Sequence, residues 1–532
     1  MSSYSNTNDD KVFGPIRSCV WPVHRNEVRK LLPMLAIVFL LCFNYSILRN
    51  MKDTVVVTAS GAEVIPFIKV WVMLPMAVLL TALFAKLSNH YSQERVFYYI
   101  ISGFLACFAL FAFVLYPLRD VLHPNAAADA LELVMPVGFK GLISTFRNWT
   151  FTGFYVMSEL WGSLVLNVLF WGFANEVTRI GEARRFYGVL GIGSNLATIL
   201  AGQVAIFLSQ PRILNRLPFL SGREEWEQSQ MVLITTVLIG GLIVMGLFRW
   251  MNKKVLNDPS FEEFHHNKRE IKAKGILSFR ESFSYLSNSR YLIYIAIIVV
   301  AYNLVINLVE VVWKDQLRQL YPNPGDFNTY MNNLTSAIGV IALVSALFMS
   351  KIIDKLGWTW TALITPIIML ITCAGFFSFI LFSDSLGSIV VAFTGLTPLV
   401  IAVFFGGAQN CLSKAAKYSV FDTTKEMAYI PLSHESKLKG KAAIDGVGSR
   451  FGKSGGSLIH QGLLMIFATL SASAPYVAVI LLLVIAFWIH AARRLGTQFN
   501  ELVVLQNVAS ELHDAPEKAK AELVGNQIPA VS

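Results

Sequence analysis

Six basic side chains interrupt stretches of this chain that are otherwise apolar enough to lie in a lipid bilayer. They are Arg49, Lys52, Lys69, Lys314, Arg450 and Lys453. All other lysines and arginines are expected in loops and tails. A charge at the centre of a membrane helix costs about 2.5–3.5 kcal/mol on insertion scales, so charges that are retained there generally serve a function. The six cations predict a cavity for a polyanion, such as a phosphorylated solute.

The spacing of the cations suits phosphate. Arg49 and Lys52 are three residues apart, as are Arg450 and Lys453, so each pair can share one face of a helix. Arginine binds phosphate through two parallel hydrogen bonds, whereas lysine acts as a mobile point charge. Asp53 follows Lys52 directly, and we expect the two to point to different faces. A local salt bridge between Arg49 and Asp53 is the alternative.

Four carboxylates lie inside the apolar stretches: Asp53, Glu159, Glu310 and Asp445. Two interpretations stay open for them. They form structural ion pairs with the buried cations, since paired charge is tolerated in lipid. Alternatively, they act as gating or coupling groups that bind a proton or release a cation when the anion arrives. Phe154, Tyr155 and Trp161 lie near Glu159 and are candidates for stacking a purine base.

The sequence argues against an enzyme and against a resident cofactor or metal ion. Gly452-Lys453-Ser454 resembles the end of a P-loop, but Val447 stands where that motif needs a glycine, and no strand precedes it. The five cysteines show neither metal-ligand spacing nor a disulfide framework. No nucleophile–base pair or metal cluster accompanies the apolar stretches.

Composition predicts an all-α membrane protein. Of the 532 residues, 55% are hydrophobic and only 15% are charged, against about a quarter charged in soluble domains. The net charge of +10 does not indicate nucleic-acid binding, because the basic residues are spread over alternate loops. The positive-inside rule for membrane proteins accounts for the excess.

Apolar runs predict twelve transmembrane helices. Their ranges are 31–58, 65–88, 96–116, 149–175, 186–209, 231–251, 291–314, 331–350, 359–382, 388–411, 442–470 and 475–493. These ranges form two six-helix halves, 31–251 and 291–495. A polar linker at 252–290 joins the halves, and tails at 1–30 and 496–532 flank them. Lysine and arginine collect on one side of the predicted topology, including a loop at 412–441 with six lysines, so both termini and the linker are expected in the cytoplasm.

The two halves share a weak internal repeat. Ala85-Lys86-Leu87-Ser88 after the second range parallels Ser350-Lys351-Ile352-Ile353 after the eighth, and a basic loop followed by glycines recurs after the fourth and tenth. Such a repeat between pseudo-symmetric halves is typical of major-facilitator-like carriers, whose substrate site lies at the midplane between the halves.

Several longer motifs carry a family resemblance. They are Arg49–Thr54 (RNMKDT), Pro66–Trp71 (PFIKVW), Ser158–Ser163 (SELWGS), Phe170–Asn175 (FWGFAN), Thr424–Leu432 (TKEMAYIPL), Gly440–Asp445 (GKAAID) and Gly452–Gly456 (GKSGG). Together they resemble the nucleotide transporter (ATP/ADP translocase) family of chlamydiae, rickettsiae and plastids, over about residues 20–495.

The resemblance implies a twelve-helix carrier that moves ATP, ADP or other nucleoside phosphates, with phosphate or protons as a possible co-substrate. The residues on which the family relies match Lys69, Glu159, Glu310 and Lys453, and Lys52 joins the phosphate site. It also implies the inner membrane of an obligate intracellular bacterium. We expect a monomer in the lipid bilayer, with no nucleic-acid partner.

Two departures from the family pattern bear on the mode of transport. The loop Thr58–Glu63 is shorter than that of the strict exchangers, and Val311–Gln316 and Ala443–Val447 look more like the broader-specificity or proton-coupled members. Three alternatives therefore stay open: nucleotide exchange, proton-coupled uptake of nucleoside triphosphates through Glu159 or Glu310, and carriage of another organic phosphate.

Overall fold

The computed structural model describes residues 21–178, 180–255, 289–432 and 448–514, with the isolated residues Gly14, Arg17, Ser436, Gly440, Lys441, Ala443 and Ile444. Asp445, most of the predicted linker and the end of the C-terminal tail lie outside the described residues. In the described part every regular element is a helix, which confirms the all-α prediction.

The described chain contains fourteen helices of eight or more residues. Those before residue 256 are α1 Arg25–Ser60, α2 Val64–His90, α3 Gln93–Leu115, α4 Asn125–Val134, α5 Lys140–Arg147, α6 Trp149–Val177, α7 Ile180–Leu208 and α8 Glu225–Val255. Those after residue 288 are α9 Arg290–Leu320, α10 Pro324–Leu381, α11 Ser383–Thr394, α12 Pro398–Tyr429, α13 Ser449–Phe467 and α14 Leu470–Asp514. We call α1–α8 the N-terminal bundle and α9–α14 the C-terminal bundle.

Ten segments of the described chain are long and apolar enough to cross a membrane. They lie in α1, α2, α3, α6, α7, α8, α9, the second limb of α10, α12 and α14. Of the twelve predicted ranges, 331–350 and 442–470 have no such segment of their own. The first falls in the limb of α10 before Gly357, where the backbone breaks at φ 72°, and the second includes α13.

The predicted helix at 388–411 is wrong, and so is the first part of the predicted loop at 412–441, which is helical up to Tyr429. Gly395 ends α11 in the left-handed region (φ 69°), and Thr397 caps the start of α12 by accepting a hydrogen bond from the Val400 backbone N–H. Pro398 then occupies the first turn, where its missing N–H is tolerated. Because the sequence stays apolar across this break, hydropathy alone predicts one continuous helix there. The helix runs on to Tyr429, and three of the six lysines assigned to the loop therefore lie on α12.

The two bundles meet along a seam of uncharged polar side chains. Asn50 of α1 donates to the side-chain oxygen of Asn332 at 2.8 Å and accepts from Thr335 at 3.0 Å, both on α10. Gln203 of α7 donates to Ser336 at 2.9 Å. Asn50 is fully buried and lies about 15 Å from the C-terminal end of α1, against about 37 Å from its start. The seam is therefore near the end of the bundle opposite the N-terminus of α1.

Helix α13 indicates that the other end of the interface is open. Lys453, Ser457, His460 and Leu464 repeat at helical spacing and share one face. The last three are buried at 0–2% exposure, whereas Lys453 is exposed. The lipid-facing side of α13 is different and carries exposed apolar residues such as Phe451. The face that carries Lys453 is therefore covered along its C-terminal part and exposed at its N-terminal part.

Gly202 of α7 lies where the two bundles pack closely at the seam, and a substitution there tests this packing. A Cβ at this position would overlap the Asn332 carbonyl oxygen and the Ser336 hydroxyl, whereas a Cβ at Gly191 of the same helix meets nothing within 4 Å. We expect Gly202→Ala to destabilise the protein by about 1–3 kcal/mol, as overpacking usually does. Gly191→Ala is the control and is expected to be neutral or slightly stabilising, because alanine favours helix. The measurement is thermal unfolding in detergent; equal melting temperatures for the two variants would contradict the packing described.

Candidate functional site

A continuous network of ion pairs runs across the interface between the bundles. Its members are Glu159, Lys52, Asp53, Lys314, Glu310, Lys69 and Lys414. Carboxylate and ammonium groups alternate along the network, which begins with Glu159 on α6 of the N-terminal bundle and ends with Lys414 on α12 of the C-terminal bundle. Four of the predicted site residues, Lys52, Lys69, Glu159 and Glu310, are thus brought together.

Lys52 forms the first part of the network. Its ammonium lies 3.0 Å from Glu159 Oε1, 2.7 Å from Asp53 Oδ1 and 3.9 Å from the centre of the Tyr155 ring. The expectation that Lys52 and Asp53 point apart is wrong. Neighbouring residues leave a helix about 100° apart, but the four-carbon stem of lysine is long enough to return its ammonium to the adjacent carboxylate.

The ion pair between Asp53 and Lys314 joins the two bundles. Asp53 Oδ2 lies 2.9 Å from Lys314 Nζ, and both side chains are at most 2% exposed. Each oxygen of Asp53 therefore has its own lysine, one from each bundle. The local pair between Arg49 and Asp53 is not formed: within the described residues, the ion-pair partners of Asp53 are Lys52 and Lys314. Arg49 lies one turn before Asp53 on α1 and is half-buried.

Glu310 gathers three lysines. Its Oε1 lies 3.2 Å from Lys314 and 3.7 Å from Lys414, and its Oε2 lies 4.0 Å from Lys69. Lys69 also donates a hydrogen bond to the side-chain oxygen of Asn307 at 3.0 Å. Since one carboxylate balances one ammonium, this end of the network has more positive than negative charge.

Lys453 lies beside this end without joining the ion pairs. The Asn307 side chain, whose oxygen accepts from Lys69, donates through its nitrogen to the Lys453 backbone carbonyl. This shared asparagine brings α13 next to α2 and α9. Lys453 and Arg450 are both exposed, and within the described chain neither has a carboxylate in ion-pair distance.

Lys414 is the residue that sequence reasoning missed. The hydropathy pattern assigned it to a loop, whereas the structure places it on α12, facing Glu310. The helix-start signal at Thr397-Pro398 could have found it, because a membrane helix of about 20 residues beginning there necessarily includes position 414.

The aromatic candidates for base stacking are all engaged in packing. Tyr155 is 1% exposed beneath Lys52. Phe154 stacks on Phe111 with ring centres 4.1 Å apart. Trp161 is fully buried and donates its indole N–H to the Leu41 carbonyl. In this conformation none of the three presents a free face to the cleft.

Helices around the network depart locally from α geometry. Ile68–Met73, Trp161–Phe170 and Lys417–Phe421 are π-helical. The first contains Lys69, the second follows Glu159 by two residues, and the third follows Lys414 by three. A π-helical turn holds an extra residue and so shifts the faces on which later side chains lie; such turns are frequent at functional sites.

The charge count defines what this arrangement can bind. Three carboxylates, Asp53, Glu159 and Glu310, face four lysines, Lys52, Lys69, Lys314 and Lys414, and the half-buried Arg49 lies one turn from Asp53. An excess of buried positive charge is costly unless an anion compensates it. In the described part of the chain no cluster of His, Cys, Asp and Glu has the geometry to hold a metal ion. The site therefore suits an anion with several negative charges.

Solved structures share this fold at low sequence identity. A bacterial homologue of the iron transporter ferroportin, in an inward-facing state, matches with a TM-score of 0.55 and 13% identity over 89% of this chain and 100% of its own. A D-xylose–proton symporter matches with a TM-score of 0.50 and 13% identity, over 86% and 96% of the two chains. The likeness shows the fold alone.

Sequence relatives extend over nearly the whole chain. ADP,ATP carrier protein 1 of Chlamydia pneumoniae is 45% identical over 96% of this chain and 98% of its own length. ADP,ATP carrier protein 1 of Rickettsia bellii is 41% identical over 94% and 99%, and the chloroplastic ADP,ATP carrier protein 1 of Arabidopsis thaliana is 42% identical over 95% and 78%. The model of the TLC ATP/ADP transporter family matches residues 6–499. The resemblance carried by the sequence motifs is confirmed: the chain belongs to the TLC ATP/ADP transporter family.

Proposed function

We propose that this protein is a membrane carrier that exchanges nucleotides, ATP against ADP, by alternating access. The observation that carries the proposal is the cation-rich network at the interface between two helical bundles, where we place the cleft for the substrate. Nucleoside di- and triphosphates carry several negative charges, which match the excess of positive charge. Membership of the TLC ATP/ADP transporter family supports carriage, and we propose that ATP is bound without being hydrolysed.

The architecture that we propose has twelve transmembrane helices in two six-helix halves of the major-facilitator type. The ten apolar segments are completed by the first limb of α10 and by α13. The halves are 31–251 and 291–495, with the segment 252–290 and both tails in the cytoplasm. The basic residues on the predicted outer side support this orientation, because Arg119, Arg147 and Arg223 are paired with nearby acids. We propose a monomer in the inner membrane of a bacterium that lives inside host cells, as several relatives do.

In the proposed transport step, the phosphates of the substrate compete with the carboxylates of the protein for the lysines. With this orientation the cleft opens to the cytoplasm and the seam closes the opposite side. Phosphate oxygens of a nucleotide would meet Lys69 and Lys453 first, with Arg49 and Arg450 placed for two-point contact. As the phosphates take Lys69 from Glu310, and Lys52 from Glu159, the carboxylates lose partners and the Asp53–Lys314 link weakens. The bundles can then rock, closing the cleft and opening the seam. Asp445 is proposed to act in the same site.

One observation favours a second candidate, proton-coupled uptake. Glu159 and Glu310 are 23% and 16% exposed, whereas Asp53 is sealed at 1%. The two partly exposed carboxylates could exchange protons with the cleft as their lysines turn to the substrate. Phosphate as a co-substrate would use the same cations.

Exchange is tested by uptake of radiolabelled ATP into proteoliposomes, with and without ADP inside. Exchange predicts uptake only into ADP-loaded vesicles. Uptake into empty vesicles that a protonophore abolishes would replace the proposal with proton symport. Absence of uptake and of competition by any nucleotide would overturn it and favour another organic phosphate.

Lys69 and Lys453 provide a direct test of the phosphate site. We expect Lys69→Ala and Lys453→Ala each to reduce ATP exchange at least tenfold, because each removes a charge that a phosphate would contact. The matched control is Lys441→Ala, since this exposed lysine pairs with Glu426 outside the network. Exchange rates are compared at equal amounts of protein in the membrane. Unchanged kinetics in both variants would contradict the proposed role.

The Asp53–Lys314 pair makes a separable prediction about stability. Removing one partner leaves the other buried with one counter-charge fewer, and breaking a buried ion pair costs about 3–5 kcal/mol. We expect Asp53→Asn and Lys314→Gln each to lower the melting temperature in detergent. The melting temperature of the double variant should lie closer to that of the wild type than the sum of the two single-variant losses predicts. Strictly additive losses would show that the two groups do not interact.

A further inference from the structure

We propose that Lys414 is a further phosphate-binding residue, and that it gives the site its selectivity for nucleotides with two or three phosphates over those with one. The inference rests on the proposed function. Its basis is the position of Lys414 at the cation-rich end of the network, on a helix that places it by close packing.

The geometry distinguishes lysines that an incoming anion can reach directly from lysines that stay sealed until the network rearranges. Lys52 and Lys314 are 2% exposed and lie between two carboxylates each. Lys414 and Lys69 are 16% and 20% exposed and share a single carboxylate, Glu310, at the longer distances of 3.7 and 4.0 Å. The weakly held, accessible pair is therefore the first to find a better partner in a phosphate.

Charge balance supports the same conclusion. Lys314 is the nearest partner of Glu310, at 3.2 Å, and also pairs with Asp53. One negative charge on Glu310 cannot neutralise Lys69 and Lys414 as well. In a low-dielectric interior the two ammonium groups repel each other unless a further anion lies between them. A second or third phosphate group supplies that charge, whereas a monophosphate held by Lys69 and Lys453 does not.

Close helix packing fixes the position of Lys414. Gly406 of α12 lies against the Trp313 ring of α9, where a Cβ would overlap the indole, and a Cβ at Gly407 would lie 2.6 Å from the Tyr330 hydroxyl. Trp313 donates its indole N–H to the Val403 carbonyl at 3.1 Å. The contacts of Trp313 hold α12 near α9 and the contact of Tyr330 holds it near α10, so that Lys414, two turns beyond Gly406, reaches Glu310 on α9.

The test is equilibrium binding to the purified full-length protein in detergent, with labelled ATP displaced by ATP, ADP or AMP. We expect Lys414→Gln to weaken ATP binding about tenfold or more, as loss of a charge-assisted hydrogen bond does, and AMP binding by less than about threefold. Lys414→Arg keeps the charge and should keep most of the preference for ATP. Lys441→Gln, which removes an exposed lysine of the C-terminal bundle, should change neither affinity. Lys414→Met serves as a second variant if the glutamine form does not fold.

A structural role for Lys414 predicts different results. If Lys414 only neutralises Glu310, then Lys414→Gln should weaken all three nucleotides equally, and Lys414→Gln/Glu310→Gln should restore binding. Either result, or an unchanged ratio of ATP to AMP affinity, overturns the inference while leaving the proposed function intact. Failure of the wild-type protein to bind any nucleotide would instead overturn the proposed function, and this inference with it.

Discussion

The ion pair between Asp53 and Lys314 is the contact on which the rest of the site depends. It is a sealed ion pair that joins the two bundles, and Lys52 and Glu310 each pair with one of its members. Neither residue could remain in so apolar a setting alone, because an unpaired buried charge costs several kcal/mol. The pair therefore holds α1 close to α9. This spacing also determines how far apart Lys69, Lys414 and Lys453 lie.

Close packing of the helices brings the polar and charged side chains of the two bundles within hydrogen-bond and ion-pair distance. Glycines at positions 202 and 406 let backbones approach where any side chain would overlap a neighbour. In membranes this mode of packing is general, since lipid offers no hydrophobic drive for helices to associate and small residues bring van der Waals and polar contacts within reach. The polar seam and the charge network both depend on this approach, and their members Asn50 and Asp53 lie within one turn of each other on α1.

Much of the site could be predicted from sequence because buried charge is rare and therefore informative. Lys52, Lys69, Glu159 and Glu310 were each found as ionisable residues in apolar runs, and the structure brings them together. Two features were not accessible in this way. Lys414 was lost because apolar sequence continues across the break at Gly395, so hydropathy misplaced the helix by several residues. The pairing of Lys52 with its neighbour Asp53 was missed because helical spacing describes where side chains begin, not how far a lysine reaches. The π-helical turns near Lys69, Glu159 and Lys414 leave no periodic signal strong enough to read from one sequence.

The chemistry of the seam has an electrical consequence. The contacts of Asn50, Asn332 and Thr335 are between uncharged groups, and Asp53 with Lys314 is neutral as a unit. Breaking and remaking these contacts moves almost no net charge through the membrane field, in which each elementary charge is worth about 2.3 kcal/mol per 100 mV. The seam would then add little to the voltage dependence of transport. That dependence would be set by the charge of the nucleotide together with the excess positive charge of the network that binds it.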